Sequence, residues 1–205
     1  MQLIWLRSDL RVNDNTALSA AAAAGPCVAV YLPSPEQWLE HDDAPCKVDF
    51  WLRNLKTLSQ ALGELNIPLL IRNAPRWDDA PQVLLDLCRQ LNVDAVHFNE
   101  EYGLHETRRD AAVADRLKAQ GIDARRYLDQ LLFKPGSVLT KTGRYFQVFS
   151  QFRKVCYERL HRSLPRLVSA PMAQAPLNII SDPIPEQVQG FDTPSESLRA
   201  LWPAG

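Results

Sequence analysis

The sequence is poor in glycine and contains none of the common phosphate-binding motifs. Only 8 of its 205 residues are glycine, and the segment after the first apolar run reads RSDLR (residues 7–11) where a dinucleotide-binding protein has G-x-G-x-x-G. The chain has no P-loop, no serine-glycine-glycine pyrophosphate loop and no G-x-S-x-G nucleophile elbow. These absences exclude an ordinary Rossmann dehydrogenase, a P-loop nucleotidase and an α/β-hydrolase.

Cysteine is also scarce, and no two cysteines are close enough to suggest a metal knuckle or a small disulfide scaffold. The four cysteines form no C-x-x-C pair. His105-Glu106 begins like a zinc-protease motif, but position 109 is arginine rather than histidine, so we expect no metal site. No apolar run has the length of a signal peptide or a membrane span. We therefore expect a cytoplasmic protein without a membrane partner.

Charge is balanced over the whole chain but concentrated in one segment. Lys and Arg number 23 and Asp and Glu 24, a net charge of -1 that excludes a uniformly basic nucleic-acid binder. Residues 134–166 contain eight basic side chains and one acid, so this segment carries +7 and the remainder -8. Basic residues beside aromatic ones are typical of nucleic-acid binding. However, four residues share one helical face, which favours a packing stripe: Tyr145, Phe149, Phe152 and Cys156.

Short apolar runs alternate with helical patterns along the first 130 residues. The runs predict strands at 3–6, 27–32, 68–72, 93–98 and 122–128. Between them, helical spacing predicts helices at 16–24, 48–65, 83–91 and 104–119. Strands that are apolar on both faces and alternate with helices form parallel sheets covered on each side. We predict an α/β fold, a doubly wound five-stranded parallel sheet in order 3-2-1-4-5 with helices on both faces.

The pattern changes after residue 130, which divides the chain into three parts. Residues 1–130 form the predicted Rossmann-like domain, and residues 131–164 a basic, aromatic-containing helical segment packed on it. Residues 165–205 hold seven of the 15 prolines and no convincing periodicity. This tail is interpreted as a linker or a wrapping segment, and we expect it to lead to a further domain that the 205 residues do not include.

The carboxyl ends of strands one and four flank the predicted switch point, where such sheets bind ligands. The loop at 7–15 carries two arginines, two aspartates and Asn15, which are interpreted either as a helix cap with surface ion pairs or as a polar network that shapes the cleft. His41 follows strand two, and a polar cluster follows strand four: Asn99, Glu100, Glu101, His105 and Glu106. The Glu106 carboxylate can accept paired N–H donors from the edge of a pterin or flavin. His97 is interpreted as a core histidine.

Residues 3–18, LIWLRSDLRVNDNTAL, resemble the opening of the DNA photolyase/cryptochrome family, W-F-R-x-D-L-R-x-x-D-N-x-A-L. The likeness extends over about residues 1–175, with further matches at 31–38, 67–70, 98–102, 134–138 and 145–149. It is similar above all to the folate-type bacterial class I enzymes that repair cyclobutane pyrimidine dimers. One departure is the loss of proline from the family's V-F-T-P-F, which stands here as VFSQF at 148–152.

The resemblance implies a division of labour between two domains. The N-terminal α/β domain would hold a light-harvesting antenna, 5,10-methenyltetrahydrofolate or another chromophore such as a deazaflavin or a second flavin. A separate helical domain would hold FAD and the pocket for damaged DNA. The antenna passes excitation to reduced FAD, which gives an electron to the dimer, and the electron returns after the dimer splits. No catalytic residue is then expected in this chain, which alone should be inactive and monomeric.

Three residues match family positions at the antenna. His41 corresponds to the histidine beside the folate and Glu106 to the glutamate that binds the pterin. His105 stands where folate-type enzymes commonly have asparagine. Two alternatives stay open: a cryptochrome-type photoreceptor domain, and a stand-alone nucleotide-binding domain, which would need a glycine-rich phosphate loop that the chain lacks.

Overall fold

The five segments predicted as strands form one parallel sheet in the computed structural model, which describes residues 1–205. The strands are β1 (Gln2–Leu6), β2 (Cys27–Tyr31), β3 (Leu69–Ile71), β4 (Ala95–Asn99) and β5 (Asp123–Tyr127). Their order is β3-β2-β1-β4-β5, and every neighbouring pair is parallel. The predicted topology is confirmed. β1, β2 and β4 are buried at every position, which explains why their sequences are mostly apolar and do not alternate between apolar and polar residues.

Seven helices accompany the sheet. They are α1 (Thr16–Ala24), α2 (Pro35–Glu40), α3 (Pro45–Glu64), α4 (Ala80–Leu91), α5 (Leu104–Lys118), α6 (Phe149–Arg162) and α7 (Glu196–Leu201). The Asn15 side chain accepts a hydrogen bond from the Leu18 amide at 3.0 Å and so caps α1. The short helices α2 and α7 were not predicted, because one or two turns produce no recognisable period. No helix is both long and apolar enough to cross a membrane.

Helices cover both faces of the sheet, as predicted, and each face has its own core. Alternate residues of β1 point to opposite sides, so that Leu3 and Trp5 join one hydrophobic cluster and Ile4 and Leu6 the other. The first cluster contains the apolar faces of α4 and α5, and the second contains those of α1 and α3. This double burial fixes the carboxyl ends of the strands relative to the helices that follow them.

The tail after α6 returns over the domain and covers the β3 edge of the sheet. The Ser181 hydroxyl accepts a hydrogen bond from the Leu69 amide at 3.0 Å, and the Asp182 carboxylate accepts one from the Ile71 amide at 2.8 Å. Val188 is buried in the second cluster. The tail therefore lies along the domain, as a wrapping segment does. Its hydrogen bonds satisfy backbone groups that an edge strand leaves open.

The second half of the basic segment forms helix α6. None of the residues of this helix is buried, and Phe149 is 71% exposed. The aromatic rings instead contact each other, with the Phe149 and Phe152 centroids 6.4 Å apart. Helical spacing identifies an apolar face correctly, but it does not say whether the same chain supplies a surface to cover it.

His97 is the satisfied core histidine that the sequence predicts. It is fully buried in β4, its Nδ1 lies 2.8 Å from the Tyr127 hydroxyl and its Nε2 lies 2.9 Å from the Gln2 side-chain oxygen. Burial, aided by the nearby Arg125 charge, lowers the pKa of His97 from 6.5 to about 4. The folded chain therefore keeps this ring neutral over a range of pH in which the unfolded chain protonates it.

This difference predicts a loss of stability in mild acid. As the pH falls from 7 to 4.5, His97 binds a proton in the unfolded state but stays largely neutral in the folded state. The free energy of unfolding should therefore fall by about 2 kcal/mol more in the wild type than in His97→Gln. Urea titrations at both pH values measure the difference. His161→Gln, at an exposed position of α6, should lose as much stability between the two pH values as the wild type does. Equal losses of unfolding free energy in the wild type and in His97→Gln would contradict the prediction.

Candidate functional site

A cleft of about 460 Å³ opens at the carboxyl ends of β1 and β2, next to the end of β4. The β1–α1 loop provides Arg7 and Ser8 on one side, and α2 with the start of α3 provides the opposite wall. The loop before α5 and the first turns of that helix close the third side, from Glu101 to Arg109. The cleft therefore lies at the predicted switch point, where adjacent crossovers diverge to opposite faces of the sheet.

Indole rings form much of the wall. Trp38, Trp51 and Trp77 line the cleft, and the Trp38 and Trp51 ring centroids are 5.1 Å apart. Trp5 lies just beneath, so four of the five tryptophans of the chain gather in this region. Large flat side chains in a concave site are suited to stacking against a conjugated ring. No motif in the sequence marks this wall, because its three members come from separate segments.

The three predicted site residues lie close together but in different settings. His41 directly follows α2 and lines the cleft, with its ring edge-on to Trp77 at 5.0 Å. The His105 ring lies 5.4 Å from that of His41, at the mouth of the cleft, and His105 is not among the residues that line it. Glu106 lines the cleft from the first turn of α5. The structure thus brings the three residues together at the carboxyl edge of the sheet.

Glu106 differs from the other carboxylates of the cleft in having no partner. Asp43 forms an ion pair with Lys47, and Glu101 forms one with Arg109. The Glu106 carboxylate instead folds over Gly103, where a Cβ atom would overlap it, so glycine makes room for it. A half-buried carboxylate without a protein donor is free to accept N–H groups from a ligand.

The floor of the cleft is a buried cluster of charges. It joins Arg7 and Glu101, which belong to the polar loops predicted from the sequence, to Arg109 and Asp110, which no motif marks as site residues. Arg7 and Arg109 are 9% and 7% exposed and share the carboxylate of Asp110, which is 3% exposed. Arg109 also donates to Glu101 at 2.6 Å. Burial alone would raise the pKa of Glu101, but the charges of Arg7 and Arg109 outweigh it and hold that pKa below its usual value. Two cations and two anions thus compensate each other beneath the ligand-sized space.

A polar network supports this floor at the β1–α1 loop. The Asn99 amide donates to Asp9 at 2.7 Å and to Asn15 at 2.9 Å, and its oxygen accepts from the Ala17 amide at 3.0 Å. All three side chains are buried. The two interpretations of this loop therefore combine, since Asn15 caps α1 and also belongs to a network that ties β4 to the loop.

Comparisons with known proteins identify the family of the chain. The family model described as DNA photolyase matches residues 2–172. The chain is 40% identical over 155 residues to the deoxyribodipyrimidine photo-lyase of Vibrio cholerae, covering 75% of this chain and 33% of that protein. It is 34% identical to the enzyme of the same name from Salmonella typhimurium, covering 90% of this chain and 40% of that one. The chain therefore spans about a third to two fifths of these relatives.

Cryptochromes also appear among the similar proteins. Cryptochrome-1 of Arabidopsis thaliana is 34% identical over 213 residues, covering 99% of this chain and 30% of that protein. The solved structure of a Synechocystis cryptochrome aligns with a TM-score of 0.72 at 22% identity, covering 88% of this chain and 39% of that chain, which shows the fold alone. Since the family model covers most of the 205 residues, the chain belongs to the DNA photolyase family.

Proposed function

We propose that this chain is the light-harvesting domain of a deoxyribodipyrimidine photo-lyase, a carbon–carbon lyase that uses light to split cyclobutane pyrimidine dimers in DNA. The observation that carries the proposal is the unpartnered Glu106 carboxylate facing an indole-lined cleft, in a chain with up to 40% identity to enzymes of that name. The ligand proposed for the cleft is 5,10-methenyltetrahydrofolate, and its binding residues are His41, His105 and Glu106.

The partners follow from the same proposal. Because the chain spans only 33–43% of three bacterial relatives, we assign FAD, the lesion pocket and contact with damaged DNA to a further helical domain. Residues 1–130 would then be the antenna domain, residues 131–164 a basic helical segment packed on it, and residues 165–205 the linker toward the helical domain. We expect the protein to act as a cytoplasmic monomer.

The residues of the cleft fit a bicyclic heteroaromatic ring. When bound, the folate would absorb near-ultraviolet light and pass the excitation on. Glu106 would accept two N–H donors from one edge of the ring, while Trp38, Trp51 and Trp77 would stack against it and exclude water. His41 and His105, at the mouth, would donate hydrogen bonds to oxygens of the exposed part of the ligand.

A photoreceptor role is the second candidate, supported by the match of 99% of this chain to Cryptochrome-1. A different antenna is also consistent with the family, since a photolyase of Sulfolobus tokodaii has been solved with two FAD molecules, implying a novel light-harvesting cofactor in that protein. Dimer splitting under light by a protein that contains this domain would favour the repair role, and its absence would favour the photoreceptor.

Replacing Glu106 with glutamine should weaken folate binding about tenfold or more, because the amide oxygen can accept only one of the two N–H donors and its NH2 group opposes the other. The measurement is a titration of the chain with 5,10-methenyltetrahydrofolate, followed by near-ultraviolet absorbance and equilibrium dialysis. We expect weak binding even in the wild type, since the family completes this cleft with its second domain, and tight stoichiometric binding would contradict that expectation.

The matched control is Glu100→Gln, which removes a carboxylate from the same loop but outside the cleft. It should bind the folate as the wild type does. Equal affinities for wild type, Glu100→Gln and Glu106→Gln would show that the carboxylate does not contact the pterin. The proposed site would then be wrong.

A further inference from the structure

Cations and aromatic rings alternate from the wall of the cleft into the core. The Arg109 guanidinium carbon lies 5.1 Å from the Trp77 ring centroid on one side and 4.9 Å from that of Trp5 on the other. The Arg7 guanidinium carbon continues the column, 4.3 Å from the Trp5 centroid and 4.9 Å from that of Phe98. These distances are those of cation–π contacts.

The opposite wall of the cleft repeats the arrangement. The Lys47 ammonium lies 4.8 Å from the Trp51 ring centroid. Two of the three indoles that line the cleft, Trp51 and Trp77, are therefore each covered by a positive charge. Such coverage is not needed to build an apolar wall, since an uncharged side chain would pack equally well.

The charge on Arg109 is directed at the rings. Its carboxylate partners, Glu101 and Asp110, accept hydrogen bonds from its Nε and Nη2 atoms, at the edge of the planar group. The same guanidinium carbon lies 4.9 Å from the Trp5 ring centroid and 5.1 Å from that of Trp77, so the charge is close to both rings. Burial opposes the charged form, but these carboxylates raise the pKa of Arg109 above its usual value, so the guanidinium stays charged.

A positive charge at an indole face changes what the ring can do beside an excited ligand. An indole can give one electron to an excited heteroaromatic ring, which produces an indole radical cation and a reduced ligand radical. Return of the electron restores both ground states and wastes the excitation. A cation close to the ring disfavours the first step, because it repels the positive charge that would form there.

We propose that Arg109 and Lys47 are positioning residues that keep Trp77 and Trp51 from quenching the excited ligand of the cleft. This inference rests on the proposed function, because it requires a light-absorbing ligand. It explains why a site rich in indole is compatible with light harvesting: the indoles supply stacking surface while the neighbouring cations make them poor electron donors.

The first test measures the excited-state lifetime of 5,10-methenyltetrahydrofolate bound to the chain, at ligand concentrations that saturate each variant. Arg109→Gln and Lys47→Gln should shorten the lifetime about twofold or more, whereas Arg109→Lys and Lys47→Arg should leave it near the wild-type value. Adding Trp77→Phe to Arg109→Gln should restore the lifetime, since the electron donor is then gone. Unchanged lifetimes in both glutamine variants would overturn the inference.

A second test needs no bound ligand, so it separates failure of this inference from failure of the proposed function. Azidyl radicals generated in solution remove one electron from tryptophan, and peptide mass spectrometry measures the oxidised fraction of each residue. Relative to the exposed Trp202, oxidation of Trp51 should rise about twofold in Lys47→Gln and not in Lys47→Arg. Lys47 is half-exposed, so its variants keep the fold even if those of Arg109 do not. Equal oxidation in all Lys47 variants would overturn the inference.

Discussion

Replacing Asp110 with asparagine should lower the free energy of unfolding by about 3–5 kcal/mol, because two buried arginines lose the anion that they share. Asp110 accepts hydrogen bonds from Arg7 at 3.1 Å and from Arg109 at 2.8 Å, and all three side chains are nearly inaccessible to water. Burial already lowers the pKa of Arg7 despite the nearby Asp110 charge. The asparagine keeps the shape and one acceptor oxygen, so the expected loss is electrostatic rather than steric.

Urea unfolding followed by tryptophan fluorescence measures this loss, and Asp123→Asn is the matched control. Asp123 pairs with Arg125 at 3.1 Å on the exposed edge strand β5, so its substitution should change the stability by less than about 0.5 kcal/mol. Adding Arg7→Met to Asp110→Asn should recover part of the stability, since it removes the cation left without a partner. If Asp110→Asn costs no more than Asp123→Asn, the cluster does not hold the floor of the cleft together.

The sheet could be predicted from the sequence because its physics is local and periodic. Short apolar runs such as Cys27–Tyr31, alternating with longer helical patterns, are typical of strands buried on both faces and joined by parallel crossovers. Right-handed crossovers limit the strand order to a few doubly wound arrangements, of which 3-2-1-4-5 was the one predicted. These patterns can be recognised without knowing contacts between residues distant in sequence, and the structure has the predicted strands in the predicted order.

The site was predictable only where the topology decides it. His41 and Glu106 follow strands that end at the same edge of the sheet, so the parallel fold brings them together whatever their neighbours are. Trp51 and Trp77 could not be found in this way. Each lies beyond the end of its strand, in α3 or in a single 3-10 turn, and no spacing in the sequence connects them with the switch point.

In the two segments after residue 130, the periodicity of the sequence does not indicate which side chains are buried. The regular stripe on α6 predicts a buried face, yet the chain offers no surface that covers Phe149. The tail has no period, yet it contributes Val188 and Phe191 to the core. Segments without regular structure bury isolated side chains where the surface already has a groove, and the sequence does not reveal the groove.

Phe191→Ala should therefore lower the free energy of unfolding by about 3–5 kcal/mol, the range expected for removing a buried phenylalanine ring. Phe191 is 4% exposed and lies edge-on to Trp38, with the ring centroids 6.2 Å apart. Met172→Ala, at a position of the same tail that is 91% exposed, should change the stability by less than about 0.5 kcal/mol. Urea unfolding of both variants makes the comparison.

The same substitution should also reach the cleft, because Trp38 is at once a partner of Phe191 and part of the indole wall. A cavity behind Trp38 leaves its ring fewer fixed contacts, so Phe191→Ala should weaken folate binding under conditions where the chain is still folded, whereas Met172→Ala should not. A loss of stability without any loss of affinity would mean that Trp51 and Trp77 hold the ligand unaided. If neither the free energy of unfolding nor the folate affinity changes, the tail stabilises neither the domain nor the cleft.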